Sequence, residues 1–384
     1  MLSRVDARTP PPLDDRTADE QPAPDLAAPV PLRPGGSPVP SVPPAVAWSV
    51  TALPKIVATK RATPVEWDDV VDASPCATFF HTREWAELWQ TYSAGALTPA
   101  GQLVRFADGA VALLPGVEKA LVGGPRVGRL GQPLRSVISA PSSTYGGWVS
   151  AWPLTADHHR ALWRHVGRLN LDMTQNPYDP ELAHAGLPWT RHDVTHVVDL
   201  RPGYEQVRRG WSRGHLSAVN KAARAGLRAV PATRPAQWED YYRVYELSMR
   251  RWGTPNFVYR PEFFRSLSRS GSGKVRLWVV EHEGQVIAGM ICLYQGTTVM
   301  YWHGAFDAAL QHLRAAPLLH AEAMRHAADA GYHWYDFNPS GGNEGVMTFK
   351  ERFGAERYPV QSVVQHTGVK KALVRLRAQV ARPR

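Results

Sequence analysis

Cysteine is almost absent from this chain of 384 residues. Cys76 and Cys292 are too few for a disulfide framework and lack metal-ligand spacing, so a reducing compartment is expected and neither a structural zinc nor any other metal is. Long apolar runs are missing too. Residues 286–294 form one of the longest, about half of the roughly 20 residues that a membrane-crossing helix needs, so a soluble, cytoplasmic protein is expected. No basic segment followed by a continuous apolar one opens the chain, which excludes a secretory signal. There is no Gly-x-Ser-x-Gly elbow, no cysteine with an adjacent histidine and no phosphate-binding Walker loop. Chemistry through a covalent enzyme intermediate is therefore not expected. Acidic residues are lacking from Arg357 to the end, where Lys370, Lys371, Arg375, Arg377, Arg382 and Arg384 are all basic.

Proline is concentrated instead. Twelve of the 33 prolines fall in the first 50 residues, among Ala, Asp, Arg and Ser with almost no apolar period, so residues 1–55 read as a disordered leader. The remaining length suits two domains of about 150 residues each. The formal charge of +10 points to an anionic partner: tRNA, a nucleotide sugar, the phosphates of CoA or an anionic membrane face.

Two stretches of the chain follow the same order of elements. In the first, Thr82 precedes a helix as a plausible N-cap, and residues 103–106 and 111–114 make a hairpin around Asp108-Gly109. Tyr145-Gly146-Gly147 follows, then a helix near 156–169 and a strand running into Asn176-Pro177. In the second, a long basic helix over 204–225 stops at Gly226, and a second helix covers 238–252. A helix then starts at Tyr259-Arg260-Pro261-Glu262, and residues 275–281 and 285–293 make a hairpin around Glu283-Gly284. A strand over 299–304, a helix over 317–331 and a strand at 334–336 end in Asn338-Pro339. Matching order and spacing favour a duplication over two unrelated α/β domains.

Four segments carry a resemblance: Thr195-His196-Val197-Val198-Asp199-Leu200, Asn220-Lys221-Ala222-Ala223-Arg224-Ala225-Gly226, Tyr301-Trp302-His303-Gly304-Ala305, and Phe349-Lys350-Glu351-Arg352-Phe353-Gly354. In this order they resemble the FemAB/FemX family and its BioF2-like acetyltransferase relatives, over about residues 60–365. The resemblance implies an α/β (α+β) fold of tandem GNAT acyltransferase domains, each a mixed, mainly antiparallel sheet flanked by helices. The expected division is a leader over 1–55, a first GNAT-like domain over 60–200, a second, BioF2-like one over 201–365, and a basic tail over 366–384. Better-known members of the family move amino acids from aminoacyl-tRNA onto a peptidoglycan precursor; others are N-acyltransferases of polysaccharide pathways. Two features depart from that pattern. No sustained heptads supply the coiled-coil arm that some members carry. Residues 311–317 hold no glycine, where acetyl-CoA enzymes of the fold usually have Gln/Arg-x-x-Gly-x-Gly/Ala.

Acyl transfer to an amine needs a positioned carbonyl, a donor for the developing oxyanion and a route for the amine's proton. Lys350, within the resembling Phe349–Gly354 motif, is the first candidate for stabilising that charge. A solvated surface lysine is the alternative. Tyr301 and His303, two apart on a predicted strand, are expected to project from one face and relay the proton, against a half-buried aromatic face. Asp336 and Asn338 stand at a strand's carboxyl end, where ligand groups gather, although Asn-Pro is also ordinary turn chemistry. Tyr145 resembles a family motif near the acceptor cleft, and Phe349, Arg251 and Tyr259 complete the substrate-binding candidates. Arg208, Arg209, Arg213, Lys221, Arg224 and Arg228 make one helix strongly basic, for phosphates or as a solvated face. Val369, Leu373, Leu376 and Val380 recur at helical spacing in the tail, as in a helix lying on the inner face of an anionic membrane, or in a frayed basic end.

The expected function is a GNAT-type N-acyltransferase that moves an acyl group from acyl-CoA or aminoacyl-tRNA to an amine of a cell-envelope or polysaccharide precursor, small or lipid-linked, by direct attack. A FemX-like, tRNA-dependent aminoacyltransferase of peptidoglycan cross-bridge synthesis is the alternative donor reading. A non-catalytic module for RNA or an anionic membrane is the alternative of another class.

Overall fold

Strand β11 (Gln285–Gln295) is buried at every position after Gln285, an apolar run on both faces that marks a central strand covered by helices on each side. It pairs with β10 (Val275–His282) across the Glu283-Gly284 turn, as the sequence predicts, and with β12 (Thr298–Phe306). The computed structural model describes residues 53–120, 135–142, 144–167, 169–251 and 259–368, all within one compact unit, Ser41–Arg384. The Pro-rich leader up to residue 52 and the tail from 369 lie outside the described residues.

A small sheet joins β1 (Ile56–Arg61), β3 (Gln102–Phe106) and β4 (Val111–Leu114). The first predicted hairpin thus forms at Asp108-Gly109, but in this separate sheet. An 11-stranded sheet holds the rest: β2 (Leu97–Pro99), β5 (Val117–Ala120), β6 (Arg135–Ile138), β7 (Asn170–Thr174), β14 (Glu356–Gln365), β8 (Arg191–Asp199), β13 (Trp334–Asp336), then β12, β11, β10 and β9 (Ala229–Pro231), in that spatial order. It is mainly antiparallel, with two parallel pairs, β6 with β7 and β12 with β13.

The middle of this sheet exchanges strands between the two stretches of sequence. β8 pairs with β13, while β14, the last described strand, pairs with β7 on one edge and β8 on the other. Outward from the β14–β8 pair, each side therefore shows an antiparallel pair, then a parallel one, then an antiparallel one.

Helices cover both faces. α1 (Pro64–Ala73), α2 (Arg83–Tyr92), α7 (Pro235–Arg251) and α8 (Pro261–Ser268) share one core with β10, β11 and β12, rich in Trp85, Trp89, Tyr241, Tyr245, Phe263 and Phe264. α6 (Arg213–Arg224) and α9 (Ala315–Asp329) build a second core on the opposite face of these strands, and α3 (Ala156–Val166) and α4 (Pro180–His184) a third around β7. Thr82 caps α2 as expected, its hydroxyl accepting from Trp85 N–H at 3.1 Å. The predicted 204–225 helix is two: α5 (Tyr204–Arg209) ends before Trp211, which is buried edge-on against Phe353, and Ser212 caps α6. The need to bury that indole and the competing cap break what helical periodicity alone would continue.

Candidate active site

β12 and β13 pair only from Thr298/Trp334 to Met300/Asp336; β12 then runs on to Phe306 while the other chain turns away. The candidate site gathers where they part. Asp336, the last residue of β13, is fully buried and accepts four hydrogen bonds: from Tyr178 OH at 2.7 Å, Thr195 Oγ1 at 2.6 Å, Tyr145 OH at 3.2 Å and the Asn338 amide at 2.7 Å. Burial raises its pKa, and the four donors counter that in part. Tyr145 and Tyr178 come from the first stretch of sequence and Thr195 from β8, so this carboxylate joins elements from across the exchanged strands.

Asn338 adopts a positive φ of 58°, which asparagine tolerates better than other residues with a side chain. Its Nδ2 donates to Tyr301 O at 2.7 Å, bridging to β12 just past the last strand pair. Its carbonyl accepts from Lys350 Nζ at 2.6 Å, and Ser340 Oγ accepts from the same ammonium at 2.7 Å. Lys350 lies on α10 (Glu344–Glu351), which Asn343 caps, and is 3% exposed. Burial lowers its pKa to about 8, against the pull of Asp336 and Asp193. At neutral pH it is largely protonated, a buried cation with one N–H more than its two partners use.

Lys350, Asp336, Asn338 and Tyr145 are therefore brought together. The side chains of Tyr301 and His303 do not share a face, because of a register shift: Ile291 pairs with His303 and Cys292 with Tyr301, leaving Trp302 as the extra residue of a β-bulge, and only the Tyr301 carbonyl reaches the cluster. The expected common face is lost. Tyr301 packs against His320 and Phe337 on the α9 side, whereas Trp302 and His303 both face the α7–α8 aromatic core. His303 is hydrogen-bonded to Tyr241 OH at 2.5 Å and ringed by Tyr245, Tyr259 and Phe264; burial pushes its pKa down to about 3. It is neutral at physiological pH and a weak base, poorly matched to proton transfer in this conformation.

The other candidates are dispersed. Phe349 packs on His215, His320 and Phe353, behind Lys350. Tyr259 stacks on Phe263, and its hydroxyl is hydrogen-bonded to Ser142; burial raises it to about 12. Arg251 lies over the ring of Phe306 at 4.7 Å, at the far end of β12. Tyr178, Thr195, Ser340 and Asp193 join the cluster without having been singled out. Thr195 opens one of the four resembling segments and Tyr178 follows an Asn-Pro, but nothing local to either marks a contact with Asp336.

After β12 the chain makes a 3₁₀ turn over Ala308–Leu313 and enters α9 through Arg314, at φ 62° and ψ 34°, with no side chain capping the helix. Gln311-His312-Leu313-Arg314-Ala315-Ala316 thus takes the left-handed step that a glycine would make easily, with arginine at that position. The first turn of α9 carries no acidic residue, so its free N–H groups face no competing anion on their own helix. Concavity points elsewhere: a surface groove of about 510 Å³ is lined by Arg234, Trp238, Glu239, Arg265 and Arg269. Of the two, buried charge and parting strands bear on acyl transfer more directly than an open groove does. Among the described residues no group of three or more His, Cys, Asp or Glu is arranged to hold a metal ion, and no helix is long and apolar enough to cross a membrane.

A family model described as an acetyltransferase (GNAT) domain matches residues 212–358. Among solved structures, FemX superposes with a TM-score of 0.61 at 12% identity, over 82% of this chain and 99% of its own. A conserved protein of unknown function from Bacteroides thetaiotaomicron gives 0.50 at 10% identity, over 80% of this chain and 99% of that one. The C-terminal domain of a putative lysylphosphatidylglycerol synthetase from Agrobacterium fabrum gives 0.46 at 16% identity, over 83% and 96%. No curated protein matches the sequence. The chain carries an acetyltransferase domain of the GNAT type within the fold that FemX has, and is an acyltransferase.

Proposed function

We propose that the protein transfers an acyl group from an acyl-CoA to an amine of a cell-envelope or polysaccharide precursor, at the parting of β12 and β13, by direct attack. Two GNAT-like halves, 60–200 and 201–365, make up the enzyme, and the second carries the chemistry. The observation that supports this most is the buried Lys350 ammonium held by Asn338 and Ser340 beside the strand parting. The uncapped start of α9 follows on from β12, where N–H groups and Arg314 suit a pyrophosphate.

The amine nitrogen attacks the thioester carbonyl to form the new C–N bond, and the negative charge that develops on the carbonyl oxygen falls beside Lys350. Collapse breaks the C–S bond. The thiolate leaves and is protonated as the nitrogen gives up its proton, yielding amide and free thiol. No protein nucleophile takes part. Asp336 acts through Asn338, whose turn it holds.

A second reading takes aminoacyl-tRNA as donor. It is favoured by Arg208, Arg209, Arg213, Lys221, Arg224 and Arg228 on α5, α6 and just beyond, none of which forms an ion pair with an acid among the described residues. The deciding experiment is a thermal melt at low salt with acetyl-CoA, longer acyl-CoAs and a charged tRNA pool. Stabilisation by a CoA ester is expected. Stabilisation by charged tRNA alone would replace the first reading with the second, and a response to neither would overturn both.

A further inference from the structure

Asn338 has four polar groups, and three are committed within the protein: its N–H to Asp336, its carbonyl to Lys350 and its Nδ2 to Tyr301 O. The fourth, Oδ1, is buried and has no hydrogen-bond partner. The amide cannot be turned to relieve this, since Oδ1 would then face the Tyr301 carbonyl, one acceptor against another. A buried acceptor without a donor costs stability, and natural proteins keep few of them. This one stands where the two parallel strands part.

The first stretch of the molecule supplies a control. There too a parallel strand, β7, leads two residues later to Asn-Pro. Asn176 is fully buried, but its Nδ2 donates to Cys76 O at 2.7 Å and its Oδ1 accepts from Tyr178 N–H at 3.2 Å. The space beyond the last β6–β7 pair is also filled by the chain itself. Gly146 N–H donates to Thr174 O at 2.8 Å and Gly147 N–H to Ser139 Oγ at 2.8 Å. A Cβ on Gly146 would come within 2.6 Å of that same Ser139 oxygen, so the plug is packed against the strand end.

We propose that Asn338 Oδ1 accepts a hydrogen bond from the attacking N–H of the acyl acceptor, and that transfer runs at the second strand parting alone, the first being closed by Ser139, Gly146 and Gly147. This rests on the acyl-transfer reading above and adds the group that orients the nucleophile. The acceptor class is a neutral primary amine. One N–H goes to Oδ1, which leaves the nitrogen lone pair free for the acyl carbon. The Lys350 ammonium bonded to the carbonyl of the same residue disfavours a second cation there.

Three variants test this: Asn338→Gly, which accepts the positive φ, Asn338→Asp, which keeps an acceptor oxygen, and Asn176→Ala. Each is assayed by thiol release from acetyl-CoA and longer acyl-CoAs with a panel of primary amines, and by thermal melting. For Asn338→Gly the KM for the amine is expected to rise about tenfold or more, with stabilisation by the CoA ester retained. Asn338→Asp should recover part of that loss. Asn176→Ala should lower Tm more than Asn338→Gly does, with kcat/KM per folded enzyme unchanged. An amine KM unaltered in Asn338→Gly overturns the proposal. So does a fall in Tm for Asn338→Gly as large as that for Asn176→Ala, because Oδ1 would then already be in use. If none of the amines elicits thiol release from the wild-type protein, the acyl-CoA reading fails on its own, and the Tm comparison still decides the role of Oδ1.

Discussion

At Lys350 the fold holds an ammonium almost out of water, and burial lowers its pKa from 10.5 to about 8. The unfolded chain binds more protons than the folded one between these two values, so stability should rise with pH there. Below pH 8 the charged side chain costs about 3 kcal/mol, a cost that fades as pH climbs towards 10.5. Lys350→Met removes both the cost and its pH dependence. Its Tm is expected to stay within about 4 °C of wild type at pH 7, and urea melts from pH 7 to 10 should show wild type gaining on the variant. Turnover should fall about 100-fold or more, as for a lost oxyanion donor. A variant with full activity removes Lys350 from the mechanism. Composition offers no reason to prefer this lysine; the Phe349–Gly354 motif singles it out, and the reason it matters, two oxygens of a turn 10 and 12 residues earlier, exists only in the folded chain.

Among the elements, β11 and β12 show how packing overrides a period. The hairpin around Glu283-Gly284 and the strand after it are readable from alternation and turn residues. The bulge at Trp302 is not, and it alone moves His303 to the opposite face from Tyr301. α7 lies against these strands through Gly289, where an added Cβ would meet the Tyr241 ring at 2.5 Å and Trp278 O at 3.1 Å. Gly289→Ala should therefore destabilise by about 1–3 kcal/mol, read as a lower urea midpoint with unchanged m. Because Tyr241 also holds His303, the histidine's NMR signals should shift with it. A variant of wild-type stability would show that α7 can slide without cost.

Over the whole molecule, the exchange of β8 and β14 makes each stretch depend on the other. Residues 201–365 expressed alone keep β14 but lose β8, and with it the neighbour of β13 and of β14. That segment is expected to give no cooperative melt, whereas residues 53–368 should; a cooperative transition for 201–365 alone would contradict the coupling. The buried histidines give a second whole-molecule property. Burial lowers His81 to about 4 and His303 and His320 to about 3, so below pH 6.5 the unfolded chain binds protons that the folded one refuses. Stability should fall with pH from 6.5 downward, each contributing up to about 1.4 kcal/mol per pH unit until its folded pKa is reached. Denaturant melts at pH 7, 6 and 5 check this, and a flat profile would mean these imidazoles are reached by water.

Periodicity, caps and turns carry far in this chain, because they are local: the two hairpins, the cap at Thr82, the stop at Gly226 and the strands ending in Asn-Pro all form from neighbouring residues. The resembling segments, taken in order, also indicate the acyltransferase fold. What no local pattern contains is pairing between distant strands. β14 enters between β7 and β8 because the sheet has open edges there to satisfy, while the pairing of β8 with β13 brings Thr195 onto the carboxylate of Asp336, where Tyr145 and Tyr178 also converge. The residue types of the candidate site were determined by sequence. Their meeting, the neutral state of His303 and the unused oxygen of Asn338 were decided by tertiary structure, since burial and hydrogen-bond partners are properties of the packed molecule alone.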